Sequence, residues 1–210
     1  HSHSNAILSL IDQPNPEKIC KHVFGDEMGI VPYIMPGFEL AKKASEVFDK
    51  NPNVKGLILL NHGIFTFANN AKESYERMIK YITKAEKELT KKSKFIRVSK
   101  YVEKKISISE VSNLIRQQIA NKRGDDFERK VVHFNKPKFF DELFSHPNLK
   151  KFTNEGPVTP DHVIRIKSKP LIIDLSKEKS NNLEKIIIQS IENFKENYKK
   201  YFKRNHKYNS

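Results

Sequence analysis

The chain has 210 residues, 37% of them hydrophobic and 30% charged, a balance that allows one ordinary core and excludes wholesale disorder. No apolar run approaches the roughly 20 residues that cross a bilayer, and the first residues lack the layout of a secretory signal. A cytoplasmic location is therefore expected, and the single cysteine, Cys20, agrees with a reducing compartment.

The formal net charge of +14 raises the question of a nucleic-acid partner, because clustered cations gain affinity by releasing phosphate counterions. Lysines lie along the whole chain among glutamates, however. The densest runs, Lys91 to Lys94 and Lys199 to Lys203, fall at expected helix ends, where cations complement the dipole. A solvated surface is the expectation, with neither a membrane nor a nucleic acid as partner.

The chain opens on His1 within a patterned segment, His1-Ser2-His3-Ser4-Asn5-Ala6, as an N-terminally truncated piece would. Residues 1–3 read as a strand end. Ser4 or Asn5 caps a short helix carrying Ile7, Leu8 and Ile11, which Pro14 and Pro16 break. The apolar run Gly29 to Gly37 predicts a strand and a loop. Leu40, Ala41, Ala44, Val47 and Phe48 then recur at helical spacing, ending at Asn51-Pro52-Asn53. Val54 to Leu60 is the near-continuous apolar run of a doubly buried strand, and Ile64 to Phe67 resumes it after Asn61-His62-Gly63. Asn70 with Glu73 resembles a capping box, opening a long helix with Tyr75, Met78, Ile79, Ile82 and Ala85 inward and an end near Leu89. This alternation points to an α/β fold.

Beyond Lys94 the capping box Ser107 to Glu110 predicts a helix with Ile108, Val111, Leu114, Ile115 and Ile119 inward, stopped by Gly124-Asp125-Asp126. Val131 to Phe134 and Leu171 to Leu175 are strand candidates, and Lys138 to Phe144 a short helix. A Lys-rich amphipathic helix from about Asn182 to Phe202 buries Leu183, Ile186, Ile187, Ile191 and Phe194. The division expected is a single domain over 1–210, with 1–92 as its core, 93–180 as a continuation and 181–210 as a terminal helix and tail.

His1 and His3 are two apart, so on a strand they share a face, as a pair of metal ligands requires. His62 lies 59 residues after His3, in a turn between two buried runs, with Gly63 leaving the backbone free to bend. Three neutral imidazoles with an open fourth position describe a catalytic zinc site better than a closed structural one. A histidine pair at a chain start is also what a purification tag leaves behind, and a lone His before Gly is often only a turn residue. An N-terminal histidine that chelates copper belongs to secreted enzymes, and no secretory feature accompanies this one.

His1 to Ala6, Val31-Pro32-Tyr33-Ile34-Met35-Pro36-Gly37, Leu57 to Phe65 and the helix Ala71 to Met78 together resemble the second half of the class II aldolase and adducin family. The segment Gly156-Pro157-Val158-Thr159-Pro160-Asp161-His162-Val163-Ile164-Arg165 and the Tyr-rich terminal helix are similar to the aldolase part of bifunctional rhamnulose-1-phosphate aldolase/short-chain alcohol dehydrogenases. This resemblance implies a three-layer α/β/α fold with a mostly antiparallel central sheet, incomplete at the N-terminus. It also implies one zinc, or another divalent metal in its place, held by His1, His3 and His62, and a homo-oligomer in the full-length protein.

The implied reaction is reversible aldol cleavage of a ketose 1-phosphate, such as rhamnulose 1-phosphate, to dihydroxyacetone phosphate and L-lactaldehyde. The glutamate acid/base of the family lies before the HxH pair, so this piece alone is expected to be inactive. Tyr33 lies near where simpler aldolases place a proton-donating tyrosine, though a core tyrosine fits it as well. His162 reads first as a helix-start residue after the cap Thr159 and Pro160, with a contact behind the metal ligands or to substrate as the alternative. Arg165 and Lys167 are candidates to meet a phosphate. An adducin-like interaction module without catalysis is the alternative within the same fold.

Overall fold

The computed structural model describes residues 1–92, 107–123, 126–128, 130–135, 139–175 and 182–206. They divide into two compact units, one of 1–96 with 156–168 and the other of 97–155 with 169–210.

The first unit is built on a three-stranded sheet, β1 (Met28–Val31), β2 (Gly56–Leu59) and β3 (Gly63–Thr66), in that order. β1 pairs parallel with β2, Met28 opposite Gly56, and β2 pairs antiparallel with β3, Leu59 opposite Gly63. The sheet is therefore mixed, where a mostly antiparallel one was expected. Connection length is the reason: helix α3 (Phe38–Lys50) carries the chain back for a parallel return, whereas only Leu60, Asn61 and His62 join β2 to β3. The N-terminal segment adds a single antiparallel bridge, Ser2 to Ile64.

Residues of β2 alternate between two clusters. Ile58 joins Ile64, Met28 and the inner faces of α1 (Asn5–Ile11), α2 (Pro16–Phe24) and α4 (Ala71–Lys92). Leu57 and Leu59 join Val31, Leu40 and Val54, with Val47 and Phe48 of α3 against them. The continuous apolar run at 54–60 is thus explained: both faces of this strand are covered.

Two helix expectations change. Pro16 begins α2 at its first turn, with Asn15 before it in the left-handed conformation at φ 59°; proline lacks only an amide that has no helical partner there, so it starts a helix as readily as it breaks one. In α4, Glu73 N–H donates to Asn70 Oδ1 at 2.9 Å, as the capping box requires. Its buried face, however, centres on Tyr81 and Ala85, both fully buried, while Tyr75 and Ile79 are exposed.

The second unit pairs α5 (Ile108–Ile119) with α9 (Leu183–Asn205). Leu183, Ile187 and Ile191 are buried as expected, packed on Val111, Leu114 and Ile115, while Ile108 stays exposed. The Ser107 hydroxyl accepts from Glu110 N–H, and the helix ends at Ala120, before a hairpin of β4 (Asn121–Arg123) and β5 (Asp126–Glu128). Gly124 and Asp125 lie outside the described residues. The short helices α6 (Phe139–Phe144) and α7 (Leu149–Asn154) follow. Val131 to Phe134 forms no strand and Val131 is exposed. Leu171 to Leu175 forms no strand either, although Leu171, Ile173 and Leu175 face the α9 cluster. Period-two burial arises from lying against a helix as well as from a sheet.

Glu27, just before β1, receives Lys80 Nζ at 2.7 Å and Lys84 Nζ at 2.9 Å from α4. Those two hydrogen-bonded ammonium groups hold its carboxyl down at about 2, below the usual 4.5. A depressed carboxyl contributes stability above its unfolded value and loses it as pH falls through the folded one. Because the pair is partly exposed, Glu27→Gln is expected to cost about 0.5–1 kcal/mol at neutral pH. Urea unfolding of both chains should show that difference shrinking below pH 4.5. Cys20 is fully buried, and burial pushes its thiol up to about 12. It should resist alkylation by iodoacetamide in the folded chain and react at once in denaturing urea.

Candidate metal centre

The site begins with a backbone contact. Ser2 N–H donates to Ile64 O at 3.0 Å and Ile64 N–H donates back to Ser2 O at 3.1 Å. This exchange lays the first three residues along β3 and sends the His1 and His3 side chains to the same side, toward the turn that holds His62.

Gly63 makes the approach possible. A Cβ there would lie 2.6 Å from Ser2 O and 3.1 Å from both the His1 and His3 rings. The left-handed conformation in the turn falls instead on Asn61, at φ 55°, whose side chain donates to Asp12 Oδ1 at 3.2 Å. Gly63 is thus needed for room, and the expectation that it supplies the bend is corrected.

The rings converge. His1 and His3 lie 4.6 Å apart by centroid, His1 and His62 5.0 Å, and His3 and His62 5.2 Å. His1 Nδ1 is 3.1 Å from Ile64 O; a carbonyl only accepts, so Nδ1 carries the proton and a neutral ring leaves Nε2 bare. That Nε2 faces His3 Nε2 at 2.9 Å. His62 is buried, with its Nδ1 lacking a hydrogen-bond partner. Phe65 stacks on the His1 ring at 4.3 Å.

One residue joins the group that spacing did not indicate. Asp161 Oδ2 lies 2.9 Å from His3 Nε2 and 3.6 Å from His62 Nε2. His1, His3, His62 and Asp161 offer four donor atoms within 4.8 Å of one another, a group able to hold a metal ion. Asp161 is 99 residues beyond His62, and the signal was its place in the Thr-Pro-Asp-His segment rather than any interval. Burial shifts the His3 ring below its ordinary value; Asp161 opposes that, and His62 and His162 add to it. That shift favours the neutral ring, the form that ligates.

The segment bearing Asp161 includes the short helix α8 (Pro160–Val163). Thr159 is buried at its start, but its hydroxyl meets His162 Nδ1 at 2.5 Å and makes no side-chain cap. His162 is exposed, its ring 6.4 Å from that of His3. Arg165 and Lys167 are exposed nearby in sequence. Tyr33, in the loop after β1, is half-exposed and does not belong to the donor group.

Residues 1–89 match the class II aldolase and adducin N-terminal domain, and residues 107–210 match the second domain of class II aldolase. The chain is 26% identical to the uncharacterized oxidoreductase YuxG of Bacillus subtilis (strain 168) over 98% of its own length, and spans about 30% of that protein. It is also similar to the N-terminal class II aldolase domain of a conserved protein from Thermoplasma acidophilum, with 37% identity, 42% of this chain and 40% of that one covered, and a TM-score of 0.38.

Because the contact on Gly63 comes from main chain, Gly63→Ala should displace residues 1–3 and cost about 1–3 kcal/mol. Chemical denaturation, together with the histidine ring signals in a heteronuclear NMR spectrum, would register both effects. Unchanged ring signals would mean that the approach of Ser2 is looser than described.

Proposed function

The chain carries class II aldolase/adducin family domains at residues 1–89 and 107–210, and from that premise we propose that it supplies the metal centre of an aldolase-type lyase. The observation that supports this most is the meeting of His1 and His3, from the bridged N-terminal segment, with His62, from the turn between β2 and β3.

The donor set fits a metal. His1 is held by Ile64 O in the tautomer that frees Nε2, and hydrogen bonding behind a ligating ring is what fixes such a ligand. Burial favours the neutral form of His3. Zinc is the ion proposed, since imidazole nitrogens are among its usual ligands, at one per chain. When bound it would supply a Lewis acid for a substrate's carbonyl and hydroxyl oxygens.

For the whole protein we extend the proposal to a ketose 1-phosphate as substrate, with rhamnulose 1-phosphate, cleaved to dihydroxyacetone phosphate and L-lactaldehyde, as the first to test. The likeness of the Gly156 to Arg165 segment to the rhamnulose-1-phosphate aldolases supports that choice. His162 and Arg165, exposed on the segment that carries Asp161, are the proposed contacts for such a substrate. A cytoplasmic homo-oligomer, with Tyr33 available to a neighbouring subunit, completes the proposal. An adducin-like module without catalysis has no need of three converging imidazoles.

Elemental analysis of the untagged chain, beside His3→Ala and His62→Ala, tests the reading. About one zinc per chain is expected, absent from both variants, and released on acidification because protons compete with the metal for the ligand atoms. Metal that persists in His62→Ala would overturn it.

A further inference from the structure

We propose that Asp161 is the fourth protein ligand of this metal, so that the centre is a closed His3Asp set at rest instead of three histidines with a vacant position. The inference rests on the reading of His1, His3 and His62 as ligands and goes beyond it.

The first argument is the convergence of donor atoms. His1 Nδ1 donates to Ile64 O, so a neutral His1 presents a bare Nε2. That lone pair faces His3 Nε2 at 2.9 Å, and His3 Nε2 also faces Asp161 Oδ2 at 2.9 Å. One proton on His3 Nε2 can serve either neighbour and not both. His62 Nε2 faces the same carboxylate oxygen at 3.6 Å. Four donor atoms, three from imidazoles and one from a carboxylate, thus lie within 4.8 Å of one another, and a cation among them would meet a lone pair of each.

The second argument is spacing. Ligands about 2.0–2.2 Å from a tetrahedral zinc stand about 3.4 Å from each other. The separations involving Asp161, 2.9 and 3.6 Å, bracket that value, and the same oxygen makes both. A carboxylate that only oriented a histidine would be expected on the ring nitrogen turned away from the metal. Here Asp161 meets Nε2 of His3, the nitrogen on the side of the other two rings.

The third is how Asp161 is presented. Thr159, buried, holds His162 Nδ1 at 2.5 Å, and the amides of Arg165 and Ile166 both donate to His162 O, at 3.1 and 2.9 Å. The first of these bonds spans Asp161, and the other two close the turn that follows it. Its side chain is about 42% exposed, so the ligand lies on the solvent side of the centre, opposite in character to buried His62. Asp161 is thus more open to solvent than His3, at 25%, or His62, at 8%.

The experiment compares the unaltered chain, Asp161→Asn, Asp161→Glu and His62→Ala. Zn2+ affinity is read by competition with a chromogenic chelator, and the visible spectrum is read after loading Co2+. Asp161→Asn is expected to bind Zn2+ at least about tenfold more weakly and to change the Co2+ spectrum, with Asp161→Glu recovering part of both. X-ray absorption on the zinc-loaded unaltered chain, which needs no variant to fold, should fit three imidazole nitrogens and a carboxylate oxygen. Equal affinity and an equal Co2+ spectrum in Asp161→Asn, while His62→Ala loses the metal, would overturn the role of Asp161 and leave the three histidines standing. Failure of the unaltered chain to bind either ion would overturn both.

Discussion

The centre depends on one backbone exchange, the pair of hydrogen bonds between Ser2 and Ile64. Without it His1 and His3 belong to a free chain end, and with it they become part of a sheet whose position is set by two apolar clusters. Ile64 is fully buried in the larger cluster, so the strand that receives Ser2 cannot drift. Rigidity reaches the imidazoles from the core in this way, and the carbonyl of Ile64 serves twice, receiving Ser2 N–H and His1 Nδ1–H.

Close approach of two chains requires that something be small. Gly63 is that element, because a Cβ there would collide with Ser2 O at 2.6 Å. The turn that places His62 is shaped by Asn61, tied to Asp12 at the end of α1. Helix α1 follows directly from His3, so the two ligand-bearing stretches are linked through α1 as well as through the sheet. Positioning a set of donors on strands and short turns, with little freedom at any of them, limits the reorganisation needed when an ion enters.

The donor group draws on both family matches. His1, His3 and His62 lie in residues 1–89, and Asp161 lies in residues 107–210. Residues 156–168 nonetheless pack with the first unit. The second match therefore contributes to the centre directly, and the segment Gly156 to Arg165 acquires a physical role as the carrier of a carboxylate. Its charge also suits the place: a negative group beside three imidazoles raises the attraction for a divalent ion, at the expense of burying part of that carboxylate.

The sequence by itself determined what local rules govern. The doubly buried run at 54–60, the capping boxes at Asn70 and Ser107, the buried stripe of α9 and the shared face of His1 and His3 all follow from periodicities and hydrogen-bonding groups within a few residues of each other. Strand candidates at 131–134 and 171–175 failed because alternation records burial and does not name the partner that causes it. Only the tertiary structure decided that Gly63 is needed for room, that the sheet is mixed, and that Asp161 meets His3 and His62. Each of these is a contact between residues far apart in sequence, set by how the sheet and its helices pack, and no spacing along the chain encodes such a distance.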